Sequence, residues 1–289
     1  MSIETLPISV IIRTLNEAAN IERCIRSCQS NKPFEILVVD GQSIDNTRDI
    51  AESLGVKVLQ CEPSLVIQRD AAINACDAST EFVAIVDADD VLEANCLACL
   101  RDDLVRDQAQ AVQAAHGCYS EVTGQPATYW EKAMLANLQV INRCNRLNPE
   151  AINMVGRPAL YVKSWLVKAI QSESRQFTSA SEDSDLSYRL KLLGAQFTYG
   201  TGITYRKHLA TFGGLIKQWL VYGQGDAKFV LKHPERKWHV LYHQLINYPL
   251  VRAAYCARWV SVRYVPFFIA QGVIRFVGFC RFLMKKRSK

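Results

Sequence analysis

The carboxylates with the clearest chemical potential are Asp87, Asp89 and Asp90, which directly follow the apolar run 82–86. Such a run predicts a strand buried on both faces, as in a parallel sheet. Ligands of open α/β sheets bind beyond the carboxyl ends of the strands. Asp87 and Asp89 are two residues apart, so both can reach one hard cation, and oxygen ligands suit Mg²⁺ or Mn²⁺. The alternative is a solvated acidic turn that caps the next helix.

A second acidic pair, Glu182-Asp183, precedes a helix that we predict to begin at Leu186 and to end at Gly194. Acids at the start of a helix have an ordinary explanation, because they interact favourably with the helix dipole. The pair is therefore either a helix cap or a functional site.

Strands and helices alternate along the chain and position these acids. Strands are predicted at 8–12, 35–39, 56–59, 82–86, 110–119, 159–162 and 197–199, and helices at 19–28, 46–54, 65–76, 94–106, 129–142, 164–170 and 186–193. This alternation predicts an α/β fold with a largely parallel, doubly wound sheet and helices on both faces. The polar clusters that follow the first, second and fourth strands are expected to meet at one edge.

Two common nucleotide-binding classes are excluded by missing motifs. Neither the dinucleotide fingerprint G-x-G-x-x-G nor the phosphate loop G-x-x-x-x-G-K-S/T follows the first strand. A nucleotide must then be held by carboxylates and a metal ion instead of a glycine cradle.

The charge of the chain is concentrated at one end. Residues 232–289 contain twelve Lys or Arg and one acid, a net +11 against +6 for the whole chain, which leaves −5 elsewhere. Aromatic residues are interleaved with these cations, as in helices that lie in a membrane interface, and the terminal run Lys285 to Lys289 suits anionic lipid. A soluble basic helical subdomain and a binder of single-stranded nucleic acid are the alternatives, although the acidic body would repel phosphates.

The sequence favours peripheral attachment to a membrane over a spanning helix. After Arg263 the longest stretch without charge, Tyr264 to Ile274, is shorter than the ~20 residues that a span needs. A span over 264–284 must bury Arg275, which is costly. The first residues show no signal-peptide pattern, so we expect a cytoplasmic location at the inner face of the membrane.

Four motifs in order resemble the family 2 glycosyltransferases with the GT-A fold. They are Thr14-Leu-Asn-Glu17, Val39-Asp-Gly-Gln-Ser-Ile-Asp-Asn-Thr47, Asp87-Ala-Asp-Asp90 and Glu182-Asp-x-Asp-Leu-x-x-Arg-Leu190. The segment from Phe212 to Gly225 further resembles the subset that builds bacterial polysaccharides. The resemblance implies a GT-A domain at 1–210, followed by a helical, basic and aromatic membrane-associating region at 211–289.

The resemblance also implies a site for a nucleotide-sugar donor. Its implied donor-binding residues are Thr14, Asn16, Glu17, Asp40, Ser43, Arg69, Asp87 and Glu182. Asp40 would accept a hydrogen bond from the ring N–H of the base, usually uracil. Arg69 would support the diphosphate, here in the context Gln-Arg-Asp where the family often has Ala-Arg-Asn.

The resemblance also implies residues for metal binding and for catalysis. Asp89 would be a ligand of Mg²⁺ or Mn²⁺, and Asp87 would lie near the metal or the ribose. His208 would be an additional ligand of the metal or the diphosphate, with an ordinary surface histidine as the alternative. Asp183 would be the general base that takes the proton of the acceptor hydroxyl as the attack develops.

The implied activity is an inverting, metal-assisted transfer of a sugar, expected to be UDP-linked, to a hydroxyl of a lipid-linked or polysaccharide acceptor. A polyprenyl-phosphate glycosyltransferase is the alternative within the family. A nucleotidyltransferase usually has a glycine- and arginine-rich loop after the first strand, which is absent here. A degenerate, inactive transferase is disfavoured because Asp40, Asp89 and Asp183 are all present.

Overall fold

The computed structural model describes residues 6–125, 127–148, 152–172, 181–206, 209 and 211–287. The chain divides into two compact units. The first unit comprises 1–117, 148–178 and 186–206, and the second comprises 118–147, 179–185 and 207–289. The second unit thus includes two segments that precede residue 210, and the domain boundary expected there stays a prediction.

In the part of the chain that the structure describes, the first unit is built on a mixed sheet of eight strands. They are β1 (Leu6–Thr14), β2 (Pro33–Asp40), β3 (Lys57–Gln60), β4 (Phe82–Asp87), β5 (Asp90–Leu92), β6 (Ala111–Cys118), β7 (Ala159–Val162) and β8 (Phe197–Arg206). Their spatial order is β3-β2-β1-β4-β7-β6-β8-β5. The first four in this order are parallel, whereas β7 is antiparallel to β4 and β6, and β5 is antiparallel to β8.

Helices flank this sheet and make up most of the second unit. In chain order they are α1 (Ile21–Ser30), α2 (Thr47–Ser53), α3 (Leu65–Ala75), α4 (Cys96–Arg106), α5 (Ser120–Thr123), α6 (Tyr129–Leu147), α7 (Lys163–Gln171), α8 (Glu182–Leu192), α9 (Phe212–Lys232), α10 (Lys237–Tyr242), α11 (Ala253–Trp259) and α12 (Val265–Arg287). A π-helical segment, His243–Arg252, joins α10 to α11.

Both faces of the central strands are buried, as the continuous apolar runs predicted. In β1, Ile8, Val10 and Ile12 belong to one apolar cluster and Ile11 belongs to another. The first cluster includes residues of α1 and α4, and the second includes residues of α3, α7 and α8. Because side chains alternate along a strand, this division places helices on both faces of the sheet. The expected α/β architecture is confirmed.

Several elements extend further than the sequence predicts, and two of them have a clear physical reason. Strand β8 continues through Gly200 and Gly202 to Arg206, and a Cβ at Gly202 would lie 2.5 Å from the carbonyl oxygen of Cys96 in α4. These glycines interrupt the apolar pattern because α4 crosses the strand there. Helix α8 begins at Glu182 instead of Leu186, since acids in the first turn complement its positive end.

In the second unit, α9 and α12 approach each other at their backbones. A Cβ at Gly223 would overlap the carbonyl oxygen of Arg275, and a Cβ at Gly278 would overlap that of Leu220. Between them lies an ion pair, in which Arg275 Nε is 2.6 Å from Asp226 Oδ2. The same Asp226 oxygen accepts a hydrogen bond from Gln244 Nε2 at 2.7 Å. The charge in the middle of α12 is therefore neutralised inside the unit.

Among the described residues, one helical segment, Val262–Lys286, is long and apolar enough to cross a membrane by length and composition. This differs from the expectation that the charged residues leave no stretch long enough to span a membrane. Core helices of soluble proteins can be equally long and apolar, but they are mostly buried. In this segment only 33% of the apolar stretch is buried.

Replacing Gly223 with alanine is expected to lower the free energy of unfolding of the second unit by about 1–3 kcal/mol, because the added methyl group forces α9 and α12 apart. Thermal unfolding measures the effect. Gly213→Ala is the matched control, since a Cβ there has no neighbour within 4 Å and the same helix holds both glycines. Equal stability of the two variants would contradict the backbone contact.

Candidate functional site

A cavity of about 320 Å³ lies at the carboxyl ends of β1 and β4. Its wall combines both signs of charge with apolar side chains. The residues that line it are Arg13, Thr14, Leu15, Glu17, Pro63, Leu65, Gln68, Asp87, Ala88, Asp89 and Arg157. Four of the residues that the motifs suggested, Thr14, Glu17, Asp87 and Asp89, are brought together here.

Thr14, the last residue of β1, offers this cavity a hydroxyl group. The residue is 3% exposed, and its Oγ1 has no hydrogen-bond partner among the residues that the structure describes. Its carbonyl oxygen accepts a hydrogen bond from Gln68 Nε2 at 2.8 Å, and the same nitrogen donates to the carbonyl of Val39 at 2.9 Å. Gln68 thus fixes the strand ends while the hydroxyl is left for a ligand, because buried polar groups normally find a partner.

Asn16, Asp40 and Ser43 connect the loops that follow β1 and β2. Ser43 donates to both carboxylate oxygens of Asp40, from its backbone N–H at 3.0 Å and from its hydroxyl at 2.5 Å. The Ser43 hydroxyl also accepts from the backbone N–H of Asn16 at 2.8 Å. Asn16 Oδ1 in turn accepts from the backbone N–H of Ile44. These contacts shape the turn, and the expected contacts of its residues with a donor stay predictions.

Arg69 lies in α3, is 1% exposed, and forms an ion pair with Asp70 in which Nη2 is 2.8 Å from Oδ1. It is absent from the residues that line the cavity. Arg13 and Arg157 supply the positive charge of the cavity wall. The role of Arg69 stays a prediction.

The carboxylates after β4 are surrounded by guanidinium groups. Asp87 pairs with Arg13 at 2.9 Å, with Arg206 at 2.9 Å and with Arg157 at 3.2 Å. Asp90 is fully buried, and both of its oxygens accept hydrogen bonds from Arg206 at 2.7 Å. With Asp89, which lies 3.6 Å from Arg206, three acids and three arginines form one cluster in which the formal charges cancel.

The two buried carboxyls respond differently to this cluster. Burial opposes ionisation of Asp87, but the positive charges of Arg157, Arg206 and Arg13 outweigh it and hold the pKa well below its usual value. Burial raises the pKa of Asp90 to about 6 against the attraction of Arg206, and the nearby Asp87 and Asp89 add to the increase.

The cluster fits a hard divalent cation best at Asp89. One carboxylate oxygen from each of Asp87, Asp89 and Asp90 lies within 4.8 Å of the others. The oxygens of Asp87 and Asp90 already contact arginines, whereas Asp89 is 35% exposed and, among the residues that the structure describes, has only an ion pair with Arg206 at 3.6 Å. A carboxylate that faces a cavity suits Mg²⁺ or Mn²⁺, which keep most of their other positions for water and phosphate oxygens.

Glu182 and Asp183 lie in the second unit, in the first turn of α8. Glu182 is buried, and Asp183 is half-buried with its Oδ1 accepting from the backbone N–H of Ser184 at 2.8 Å. Two residues on, the buried Asp185 is held by Lys232 Nζ at 3.0 Å and by His233 Nε2 at 2.7 Å. These contacts tie the first turn of α8 to the end of α9. His208, the remaining predicted ligand, lies outside the described residues.

Sequence reasoning missed the three arginines and Gln68 as parts of the site. Arg13 immediately precedes the Thr14 motif, which was the available signal for it. Arg206 is the last residue of β8 and pairs in register with Asp90 across the β5–β8 ladder. Arg157 carries no local pattern that marks it.

Comparison with known proteins assigns the family. Residues 9–168 match the family model described as "Glycosyl transferase family 2". An uncharacterized glycosyltransferase of Rickettsia bellii (strain RML369-C) is 44% identical over 90 residues, which are 30% of this chain and 29% of that protein. The chain thus matches less than a third of the length of this relative. Succinoglycan biosynthesis protein ExoA of Rhizobium meliloti (strain 1021) is 29% identical over 236 residues, 78% of this chain and 70% of that protein.

Solved structures share the fold at low sequence identity. Glucosyl-3-phosphoglycerate synthase from Mycobacterium tuberculosis, in complex with Mn²⁺, UDP and glucosyl-3-phosphoglycerate, has a TM-score of 0.51 and 16% identity over 77% of this chain and 78% of that one. S. aureus TarS 1-349 in complex with UDP-GlcNAc has a TM-score of 0.53 and 17% identity, covering 97% and 91% of the two chains. The fold that the motifs implied is confirmed.

Asp87→Asn is expected to lower the free energy of unfolding at pH 7 by about 3–5 kcal/mol, because it removes the carboxylate that three arginines share. The pKa of Asp87 is lower in the folded state, so its contribution is present above the unfolded pKa of about 3.9 and is lost as the pH falls. Urea unfolding in EDTA should show the same difference from wild type at pH 7 and pH 5 and a smaller difference at pH 3.5.

Asp102→Asn is the control for this series. Its carboxylate is 67% exposed and pairs with Arg101 on the surface, so its removal should change stability by about 0.5 kcal/mol or less. A difference between wild type and Asp87→Asn that stays constant with pH would contradict the assignment of the lowered pKa.

Proposed function

This chain belongs to glycosyltransferase family 2, and on that premise we propose that it transfers a sugar, with inversion, from a UDP-linked donor to a hydroxyl of a lipid-linked or polysaccharide acceptor. Mg²⁺ or Mn²⁺ assists the reaction. The observation that carries the proposal is the cavity at the ends of β1 and β4. Its wall combines the cationic Arg13 and Arg157, the half-buried Asp89 and a Thr14 hydroxyl that has no hydrogen-bond partner among the described residues.

These wall residues match the parts of a nucleotide-sugar. The anionic diphosphate meets Arg13 and Arg157, which carry permanent positive charge. The Thr14 hydroxyl gains a hydrogen bond to a polar atom of the donor. A divalent cation held by Asp89, when bound, supplies positive charge to the departing diphosphate. Because these groups are already fixed by Gln68 and by the acidic cluster, little reorganisation opposes their action.

Asp183 is the base that we propose for the acceptor. A sugar hydroxyl is a poor nucleophile until a carboxylate accepts its proton during the attack. One base and one in-line attack on the anomeric carbon produce inversion. This role requires the Asp183 carboxylate to come within about 3 Å of the acceptor oxygen when both substrates are bound.

The choice of donor and acceptor class is supported by relatives. The solved structures of related fold contain UDP with a glucosyl product in one case and UDP-GlcNAc in another. The relative from Rhizobium meliloti that spans most of this chain is named for succinoglycan biosynthesis. A UDP-sugar and a growing glycan are therefore the substrates that we propose.

Purified protein is expected to release UDP slowly from one member of a panel of sugar nucleotides, in the presence of Mn²⁺ but not in EDTA. Asp89→Ala should abolish the release by removing the metal ligand, and Asp183→Asn should abolish transfer to acceptor. Asp102→Asn, on the exposed face of α4, should retain full activity. A coupled assay of free UDP, with and without acceptor, measures the activity of all three variants.

Two results would contradict the transferase proposal. One is the absence of nucleotide binding and release with every donor. The other is unchanged, metal-independent release in Asp89→Ala. Binding of RNA by the intact protein at physiological salt would instead favour a nucleic-acid-binding protein.

We also propose that the second unit attaches the enzyme peripherally to the inner face of an anionic membrane. Apolar side chains at helical spacing are exposed along α12: Ile269, Val273 and Val277 are 45%, 53% and 36% exposed, and beyond the exposed Arg281 the stripe ends at Met284, which is 62% exposed. Arg275 does not interrupt this stripe, because it pairs with Asp226.

Further exposed apolar and basic groups extend this surface. The large apolar residues exposed on α10 and on the π-helical segment are Trp238, Tyr242, Leu245, Ile246 and Leu250. The end of α12 carries the exposed cations Arg281, Lys285 and Lys286. Apolar side chains with nearby cations are the composition of helices that lie in a membrane interface.

Val273→Glu is expected to weaken binding to liposomes that contain phosphatidylglycerol several-fold, because a carboxylate enters both an apolar and an anionic surface. Val105→Glu is the matched control, since Val105 is 60% exposed at the end of α4 in the first unit. Co-sedimentation at low and high salt measures binding. Equal loss in both variants would contradict the assigned surface, and retention in the membrane after high-salt and alkaline washing would contradict peripheral attachment.

A further inference from the structure

Arg206 contacts all three carboxylates of the acidic cluster. Its Nε and Nη2 donate to the two oxygens of Asp90 at 2.7 Å, and Nη2 also donates to Asp87 at 2.9 Å. Its Nε lies 3.6 Å from Asp89 Oδ1. The side chain is 23% exposed, and its partner Asp90 is fully buried. The backbone fixes this arrangement, because Asp90 and Arg206 are paired residues of the β5–β8 ladder.

This geometry leaves the carboxylates unequal. Asp87 and Asp90 already accept close guanidinium contacts. Asp89 lines the cavity beside Asp87, and among the described residues its one ion pair is the distant contact with Arg206. The three positive charges of Arg13, Arg157 and Arg206 already balance the three negative charges. A divalent cation that enters alone would leave the cluster with an excess of two positive charges.

We propose that Arg206 is a positioning residue that acts as the resident counter-charge of the acidic cluster, so that a divalent cation binds at Asp89 only together with the diphosphate of the nucleotide. This inference rests on the proposed function. The negative charges of the diphosphate restore the balance that the cation disturbs, and Arg13 and Arg157 in the cavity wall receive the phosphate oxygens. The metal ion and the nucleotide therefore bind together.

The test is a titration of the full-length protein with Mn²⁺, in which electron paramagnetic resonance measures the free ion with and without UDP. In the wild type, saturating UDP should tighten Mn²⁺ binding at least tenfold. Arg206→Gln should tighten binding without UDP roughly thirtyfold, which is the effect of removing one unit charge about 4 Å from a divalent ion in water. Arg206→Lys retains the charge and should bind Mn²⁺ like the wild type.

Several results would overturn the inference. One is wild-type binding of Mn²⁺ that is equally tight with and without UDP, a result that needs no variant to fold. A folded Arg206→Gln protein with unchanged affinity in the absence of UDP is another. Full Mn²⁺ binding by Asp89→Asn in the presence of UDP is a third. Circular dichroism and a thermal melt establish whether each variant is folded.

The outcomes separate this inference from the transferase proposal. Metal-dependent release of UDP from a donor, together with Mn²⁺ binding that ignores UDP, would overturn the inference and leave the transferase proposal standing. Mn²⁺ binding that requires UDP, without release of UDP from any donor, would support the inference and contradict the transferase proposal.

Discussion

Charge balance at the end of β4 is the constraint on which the first unit depends. Asp90 has no contact with water and Asp87 has little, so neither carboxylate is tolerable in the core without a cationic partner. The partners come from different parts of the sheet: Arg13 from β1, Arg157 from the segment before β7, and Arg206 from the end of β8. The antiparallel half of the sheet thus brings to the cluster charges that the parallel half lacks.

The same balance makes the neighbouring cavity a suitable place for phosphate chemistry. Guanidinium groups that are already held by carboxylates do not need to be ordered when an anion arrives, so their entropy is lost during folding and not during binding. The backbone that carries the Thr14 hydroxyl is fixed by the side-chain amide of Gln68, which donates to the carbonyl oxygens of Thr14 and Val39. The unit therefore presents fixed dipoles and charges to its ligand, which is the arrangement that stabilises developing charge most effectively.

Local patterns were sufficient to predict the parallel half of the sheet. The run 82–86 and its acids stand out because a strand buried on both faces has no polar interruptions before its end. Strand β8 was harder, since Gly200 and Gly202 replace its apolar residues where α4 packs. The bond between Arg206 and Asp90 joins residues 116 positions apart, and no local pattern encodes such a pairing.

The candidate site was predictable to the same extent. Residues of the loops that follow strands were found because the topology collects them at one edge, as with Thr14, Glu17 and Asp89. The first turn of α8 was placed outside the helix because its acids look alike as caps and as loop residues. Arg69 was suggested by its position after the third strand, and its ion pair with Asp70 leaves its expected role a prediction. The direction of a side chain is decided by packing, which the sequence shows only indirectly.

The ion pair between Asp226 and Arg275 has a consequence for the architecture of the carboxyl-terminal segment. Its negative member belongs to α9 and its positive member to α12, so the final helix completes a fold that begins some fifty residues earlier. Removal of α12 would leave the Asp226 carboxylate without its arginine and would expose the face of α9 that contains Gly223. Helix α12 is therefore a structural part of the second unit, and removing it would destabilise the helices that remain.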